Sequence, residues 1–245
     1  MQGTSLRSQP ASQNMQRYSQ GEKIIVVVPA RNEASVITEV TSGLGALGIT
    51  VLVVDDGSTD ATGSLAERAG AIVLRHCINR GQGAALATGT RYALELGAQV
   101  VVHFDADGQH DPRDVARLVE PVATHRVEVA LGSRFLGAAP ALPLVRRVTL
   151  QLGRIFMRVF SGLSLTDPQN GLRAFSRRAA EQVEITHDGM AHASEILDTI
   201  ADRQLSYLEV PVMVRYTPYS LSRGQGSLNA WRIVRELIIS KFFSR

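Results

Sequence analysis

A chain of 245 residues, 44% hydrophobic and 20% charged, is long enough for one sizeable core and too apolar to be disordered throughout. Its single cysteine, Cys77, excludes an internal disulfide and suits a reducing compartment, and nowhere does an apolar run reach the ~18 residues of a membrane-spanning helix. The net charge is only +3 and no nucleic-acid partner is read from it, but 24 of the 26 basic residues are arginine, the side chain suited to bidentate phosphate contacts.

Met1 to Gln20 is polar, rich in Ser and Gln, and lacks the apolar centre of a signal peptide, so residues 1–22 are expected to form a disordered leader on a cytoplasmic protein. From Ile24 onward strand and helix signals alternate without an internal repeat. Ile24 to Val28 is a continuous β-branched run that suits a strand buried on both faces of a parallel sheet, and Pro29 is expected to stop it. Asn32 reads as the cap of a helix beginning near Glu33, with an end left open by Gly43, Gly45 and Gly48. Thr50 to Val54 gives a second strand, Ala71 to Leu74 a third, Gly83 to Leu96 a helix, and Gln99 to Phe104 a fourth strand. Asp114 to Thr124 then gives a helix and Val127 to Leu131 a fifth strand. This alternation predicts an α/β fold with a Rossmann-like, doubly wound, mostly parallel sheet.

Polar residues gather after these strands, where ligands collect in open parallel sheets. Asp105 and Asp107 follow the fourth strand two residues apart, so in extended chain both carboxylates point to one side and suit one hard cation, Mg²⁺ or Mn²⁺. A polar turn would use the same residue types. Asn79-Arg80-Gly81-Gln82-Gly83 lacks the third glycine of a dinucleotide fingerprint. It reads as backbone that passes close to a ligand before a helix whose amino end favours an anion, or as an ordinary glycine-rich helix start. His103, His110, His187 and His192 have no metal-ligand spacing and are given no catalytic role.

Two stretches are amphipathic. From Leu144 to Phe160, Val148, Leu152, Ile155 and Val159 recur at helical spacing, with Arg147, Arg154 and Arg158 on another face. From Leu228 to Phe243, Trp231, Val234, Ile238 and Phe242 are set against Arg232, Arg235 and Glu236. Each suits a helix lying among lipid headgroups, and also a helix packed on the core with a solvated arginine face.

Val28-Pro29-Ala30-Arg31-Asn32-Glu33, Asp55-Asp56-Gly57-Ser58-Thr59-Asp60, Asn79-Arg80-Gly81-Gln82-Gly83 and Asp105-Ala106-Asp107 resemble, in order and spacing, the motifs of inverting family-two glycosyltransferases of GT-A fold. The resemblance continues through Gly132-Ser133-Arg134-Phe135, Asp167-Pro168-Gln169-Asn170-Gly171-Leu172-Arg173, the helix of Glu195 and Glu209-Val210-Pro211-Val212. Within the family the chain looks most like the dolichyl-phosphate mannose synthase and undecaprenyl-phosphate sugar transferase branch, which moves a sugar from a nucleotide onto a polyprenyl phosphate. That resemblance implies a GT-A domain over residues 23–227 and a C-terminal amphipathic, membrane-interfacial helix over 228–245.

It also implies roles for residues. Pro29, Arg31, Glu33, Val54, Asp56, Asp105 and Ala106 would surround the nucleotide. Asp105 and Asp107 would hold Mg²⁺ or Mn²⁺ on the diphosphate, with Gln109 completing the shell. Arg134 and Arg173 would face the acceptor phosphate, and Arg223, in the segment Tyr216 to Ser227, resembles the basic residue of a loop that closes over the nucleotide; Arg147, from the amphipathic basic stretch, would face lipid phosphate or the acceptor phosphate. Arg31 stands where mannose synthases carry tyrosine, which leaves the base open. Asp167 and Glu195 complete the catalytic set, as positioning groups for a phosphate acceptor or as the general base of an enzyme that extends a cell-surface saccharide. The expected partners are a UDP- or GDP-sugar, a polyprenyl phosphate, the inner face of the cytoplasmic membrane and a separate membrane protein. A nucleotide-sugar binder without turnover is the reading from another class.

Overall fold

The computed structural model describes residue 15 and residues 21–136, 163–189 and 191–215. Seven strands form one sheet: β1 (Ile24–Ala30), β2 (Thr50–Asp55), β3 (Ile72–Arg75), β4 (Val100–His103), β5 (Val129–Ser133), β6 (Arg173–Ser176) and β7 (Tyr207–Pro211), in the spatial order β3-β2-β1-β4-β6-β5-β7. The helices are α1 (Ile37–Gly45), α2 (Thr62–Arg68), α3 (Gln82–Glu95), α4 (Asp114–Ala123), α5 (Arg177–Gln182) and α6 (His192–Asp202). Strands β1 to β4 are mutually parallel, β5 and β7 are parallel, and β6 runs antiparallel between β4 and β5.

The aliphatic runs are explained by burial on both sides. Because successive side chains in a strand alternate in direction, Ile24, Val26 and Val28 pack with Ile37, Leu44, Leu118 and Val119 of α1 and α4. Ile25 and Val27 pack with Ala85, Leu86, Ile196 and Ile200 of α3 and α6. Each such valine, removed from water, contributes about 1.5–3 kcal/mol. Met15, read from sequence as part of a disordered leader, is fully buried against the first of these layers.

Two local expectations are corrected. Pro29 does not end β1, which continues to Ala30. The Val27 carbonyl accepts from Phe104 of the β4 side, and the Ala30 carbonyl accepts from Asp56 of the β2 side. By this alternation Pro29 faces β4, whose pairing with β1 ended at Val27, so its missing N–H removes no ladder bond. Asn32 does not cap a helix. Its backbone is left-handed, with φ 54°, and its side-chain oxygen accepts from the Thr59 amide at 2.8 Å, while α1 begins only at Ile37.

Residues 1–14 and 16–20 of the leader, the Leu144 to Phe160 stretch with Arg147, the segment Tyr216 to Ser227 with Arg223, and the C-terminal helix over 228–245 lie outside the described residues.

Candidate active site

The parallel strands bring the carboxyl ends of β1, β2 and β4 to one edge, and there Asp105 and Asp107 leave the sheet directly after β4. Both are half-buried, with Ala106 buried between them. One Asp105 oxygen, Oδ1, accepts from Gln82 Nε2 at 2.9 Å, and Oδ2 lies 3.6 Å from His110 Nε2. Asp107 accepts from the Gln109 amide at 3.0 Å. The Gln109 carbonyl accepts from the Arg215 amide at 2.8 Å, which fixes the backbone of the third expected metal ligand.

The two carboxylates ionise on different terms. Burial opposes the charge on Asp105, but His110, His192 and Arg173 outweigh it and hold that carboxyl below its ordinary range. Asp107 is pushed up to about 6 by burial and by the charge of Asp105, with Glu33 adding to the repulsion. A cation held between them would relieve that repulsion. Among the described residues no group of three or more His, Cys, Asp or Glu side chains is arranged to hold an ion. Two carboxylates at one edge are themselves a set that fits Mg²⁺ or Mn²⁺, which take one or two carboxylates and fill their shells with water and phosphate oxygens.

The glycine-rich stretch opens α3, one of the two readings its sequence allows, and its glycines meet other backbone. The Gly83 amide donates to the Asp188 carbonyl at 2.9 Å, which occupies a donor at the amino end of α3. A Cβ at Gly81 would lie 2.2 Å from the Asp188 carbonyl oxygen, and one at Gly83 would lie 2.0 Å from that of His187. These glycines admit the 187–189 backbone. Asp56 is spent nearby: buried, it accepts from the Arg80 and Gly81 amides at 2.9 and 2.7 Å and meets His76 Nδ1 at 2.7 Å. The Val54 side chain is in the core under α3, and Pro29 is likewise buried, so these two nucleotide-facing expectations rest on backbone alone. Arg31 is exposed at the same edge, and the Glu33 amide donates to Thr62 Oγ1 at 2.7 Å.

On the other flank, Arg134 donates from Nε and from its amide to Asp167 Oδ2, at 2.7 and 3.0 Å. Asn170 adds a third donor to the same oxygen at 3.1 Å. Glu209 binds the Thr166 and Asp167 amides, which ties this turn to β7. Arg173, expected at the acceptor phosphate, is buried instead: Nε donates to the Asn170 carbonyl at 2.9 Å, and burial lowers its pKa to about 10 against the pull of Asp105 and Asp167. Its charge acts from behind the site. Glu195 is also structural in its contacts, accepting from the Thr186 amide and hydroxyl and from the His187 amide. Arg147 and Arg223 lie outside the described residues.

Sequence reasoning missed Gln82, His110 and Gly171 as neighbours of Asp105. His110 was set aside for lacking a metal-ligand spacing, yet its ring is buried against Asp105 and edge-on to Phe104. Nothing local distinguishes such a histidine from a surface one.

The glycosyl transferase family 2 profile matches residues 25–184. The chain belongs to this family. It is a glycosyltransferase of GT-A fold. A relative in Methanococcus voltae, named UDP-N-acetylglucosamine–dolichyl-phosphate N-acetylglucosaminyltransferase, is 32% identical over 241 residues, covering 89% of this chain and 96% of its own. An undecaprenyl-phosphate mannosyltransferase of Micrococcus luteus is 32% identical over 205 residues, covering 78% and 82%. The structure of glucosyl-3-phosphoglycerate synthase from Mycobacterium tuberculosis with Mn²⁺ and UDP-glucose superposes with a TM-score of 0.70 over 96% of this chain and 84% of that one. At 22% identity this likeness is one of fold. In this glycosyltransferase no helix among the described residues is long and apolar enough to cross a membrane.

Proposed function

We propose that this glycosyltransferase moves a sugar, with inversion, from a UDP- or GDP-sugar to a polyprenyl phosphate such as undecaprenyl phosphate. It acts from the cytoplasmic face of the membrane as a peripheral protein, with residues 23–227 as its catalytic domain. The observation that carries the reading is the Asp105–Asp107 pair at the end of β4, one carboxyl pushed up to about 6 beside the other, flanked by Arg134 on Asp167. Two relatives at 32% identity support the acceptor class, since their names give dolichyl phosphate and undecaprenyl phosphate; the sugars differ between them.

Asp105 and Asp107 would hold Mg²⁺ or Mn²⁺, with Gln109 beside them. Once bound, the cation supplies positive charge where the nucleoside diphosphate departs. Arg134, fixed by Asp167, meets phosphate with a pre-set guanidinium. An acceptor phosphate oxygen is already ionised near neutral pH, so it attacks the anomeric carbon as the bond to the diphosphate oxygen breaks, and no side chain need remove a proton. The contacts of Asp167 and Glu195 agree with this: Asp167 holds Arg134 through Oδ2, its Oδ1 being buried without a partner among the described residues, and Glu195 holds the Thr186–His187 segment, as positioning groups do.

The test is transfer by the purified protein with Mn²⁺, radiolabelled UDP- and GDP-sugars and undecaprenyl phosphate in detergent. Label from one donor is expected in the organic phase. Label that stays aqueous with every donor, while nucleotide still binds, would refute the lipid acceptor.

A further inference from the structure

We propose that Gln82 is a positioning residue of the metal site, holding Asp105 in place through its side-chain amide; the inference rests on the metal-dependent reading above. Gln82 opens α3 between two anchored neighbours. On one side Gly81 donates its amide to Asp56 Oδ2 at 2.7 Å, and on the other Gly83 donates to the Asp188 carbonyl at 2.9 Å. The 187–189 backbone lies so close that neither glycine could carry a Cβ without displacing it. That backbone is itself held by Glu195, which binds the Thr186 and His187 amides at 2.9 and 3.1 Å. The backbone of Gln82 is thus pinned, and Nε2 reaches Asp105 Oδ1 at 2.9 Å.

The opposite side of Asp105 is closed as tightly. A Cβ at Gly171 would fall 2.1 Å from Asp105 Oδ2 and 2.7 Å from its Cγ, so the carboxylate rests directly on the Gly171 backbone. A carboxylate with an amide donor at one oxygen and backbone behind the other has lost its freedom to rotate. That ordering is in place before an ion arrives, which is how groups behind a metal ligand raise affinity. The donor type matters too. A neutral amide orients Asp105 without neutralising it, whereas a lysine or arginine at position 82 would compete with the cation for the same charge.

Gln82→Met keeps the length of the side chain and removes the donor. Mn²⁺ uptake, followed by the electron paramagnetic resonance of the free ion with UDP or GDP present, is expected to weaken about 10-fold or more. Binding of the same nucleotides in EDTA should be unchanged, and the melting temperature should fall by only about 2–4 °C. Wild-type Mn²⁺ affinity in Gln82→Met, or an equal loss of Mn²⁺ and metal-free nucleotide binding, would overturn the assignment. Should the unaltered protein take up no Mn²⁺ with either nucleotide, the metal-dependent reading itself fails, and that failure is seen before any variant is compared.

Discussion

Asp107 carries its charge against its surroundings, since burial, Asp105 and Glu33 all oppose its ionisation while the Gln109 amide and His110 favour it. Replacing it by alanine therefore removes the proposed cation ligand without removing a stabilising contact of any size. Asp107→Ala is expected to lower transfer by about 10³-fold or more, with a melting temperature equal to or above that of the unaltered protein; near-normal turnover would remove Asp107 from the metal site. Gly171 allows a purely steric test at the neighbouring carboxylate. Its backbone is not left-handed, so alanine is permitted by conformation, but the new methyl would meet Asp105 Oδ2 at 2.1 Å. Gly171→Ala should turn the Asp105 carboxylate away and cut Mn²⁺ affinity by about 10-fold or more, a change read by calorimetry with nucleotide present.

At the scale of elements, α6 and the segment before it act as one unit on the amino end of α3. Glu195 accepts three hydrogen bonds from Thr186 and His187, and the carbonyls of His187 and Asp188 cover Gly83 and Gly81. A staple needs an acceptor, and a general base needs a carboxylate that can take a proton. Glu195→Gln should therefore retain transfer within about 10-fold, whereas loss of a true base removes about 10²–10⁴-fold. Burial opposes the Glu195 charge, but bonds from Thr186 and His187 outweigh it, so its pKa lies below the ordinary value in the folded protein. A depressed carboxyl contributes stability above its unfolded pKa of ~4.5 and loses it as pH falls through the folded value. Melting curves of the unaltered protein and Glu195→Gln should accordingly differ at pH 6–7 and converge as the pH falls through the depressed folded value. This staple had no local signature, because Glu195 and Thr186 are joined only by the chain reversal between α5 and α6. By contrast β1, β2 and β4 were legible, since burial on both faces demands an uninterrupted aliphatic run. Strand β6 was not, because it starts with Arg173, whose burial is offset only in part by Asp105, Asp167 and two carbonyls that only the folded chain brings near.

Across the whole molecule, the edge that carries Asp105 and Asp107 is also where the described chain leaves the sheet after β5 and after β7. Leu136, half exposed, follows β5 at its carboxyl end and leads to residues 137–162. Arg215 is clamped beside the acidic motif, with its amide on Gln109 and its guanidinium on Asp111 at 2.8 Å, and leads to residues 216–245. The motif order was readable from the sequence, but this convergence was not, since it depends on β6 entering between β4 and β5. A phosphate acceptor with a long apolar tail requires the reacting edge to face the bilayer, and arginines next to that edge would serve both lipid and acceptor. Each arginine at an anionic surface adds about 1 kcal/mol, so Arg147→Ala with Arg154→Ala should weaken binding to phosphatidylserine-containing liposomes by roughly 30-fold. Nucleotide affinity should not change, because neither residue is assigned to the donor. An unchanged sedimentation profile would place membrane attachment in the C-terminal stretch or in a separate membrane protein, and Arg147 would then have no claim on the acceptor phosphate.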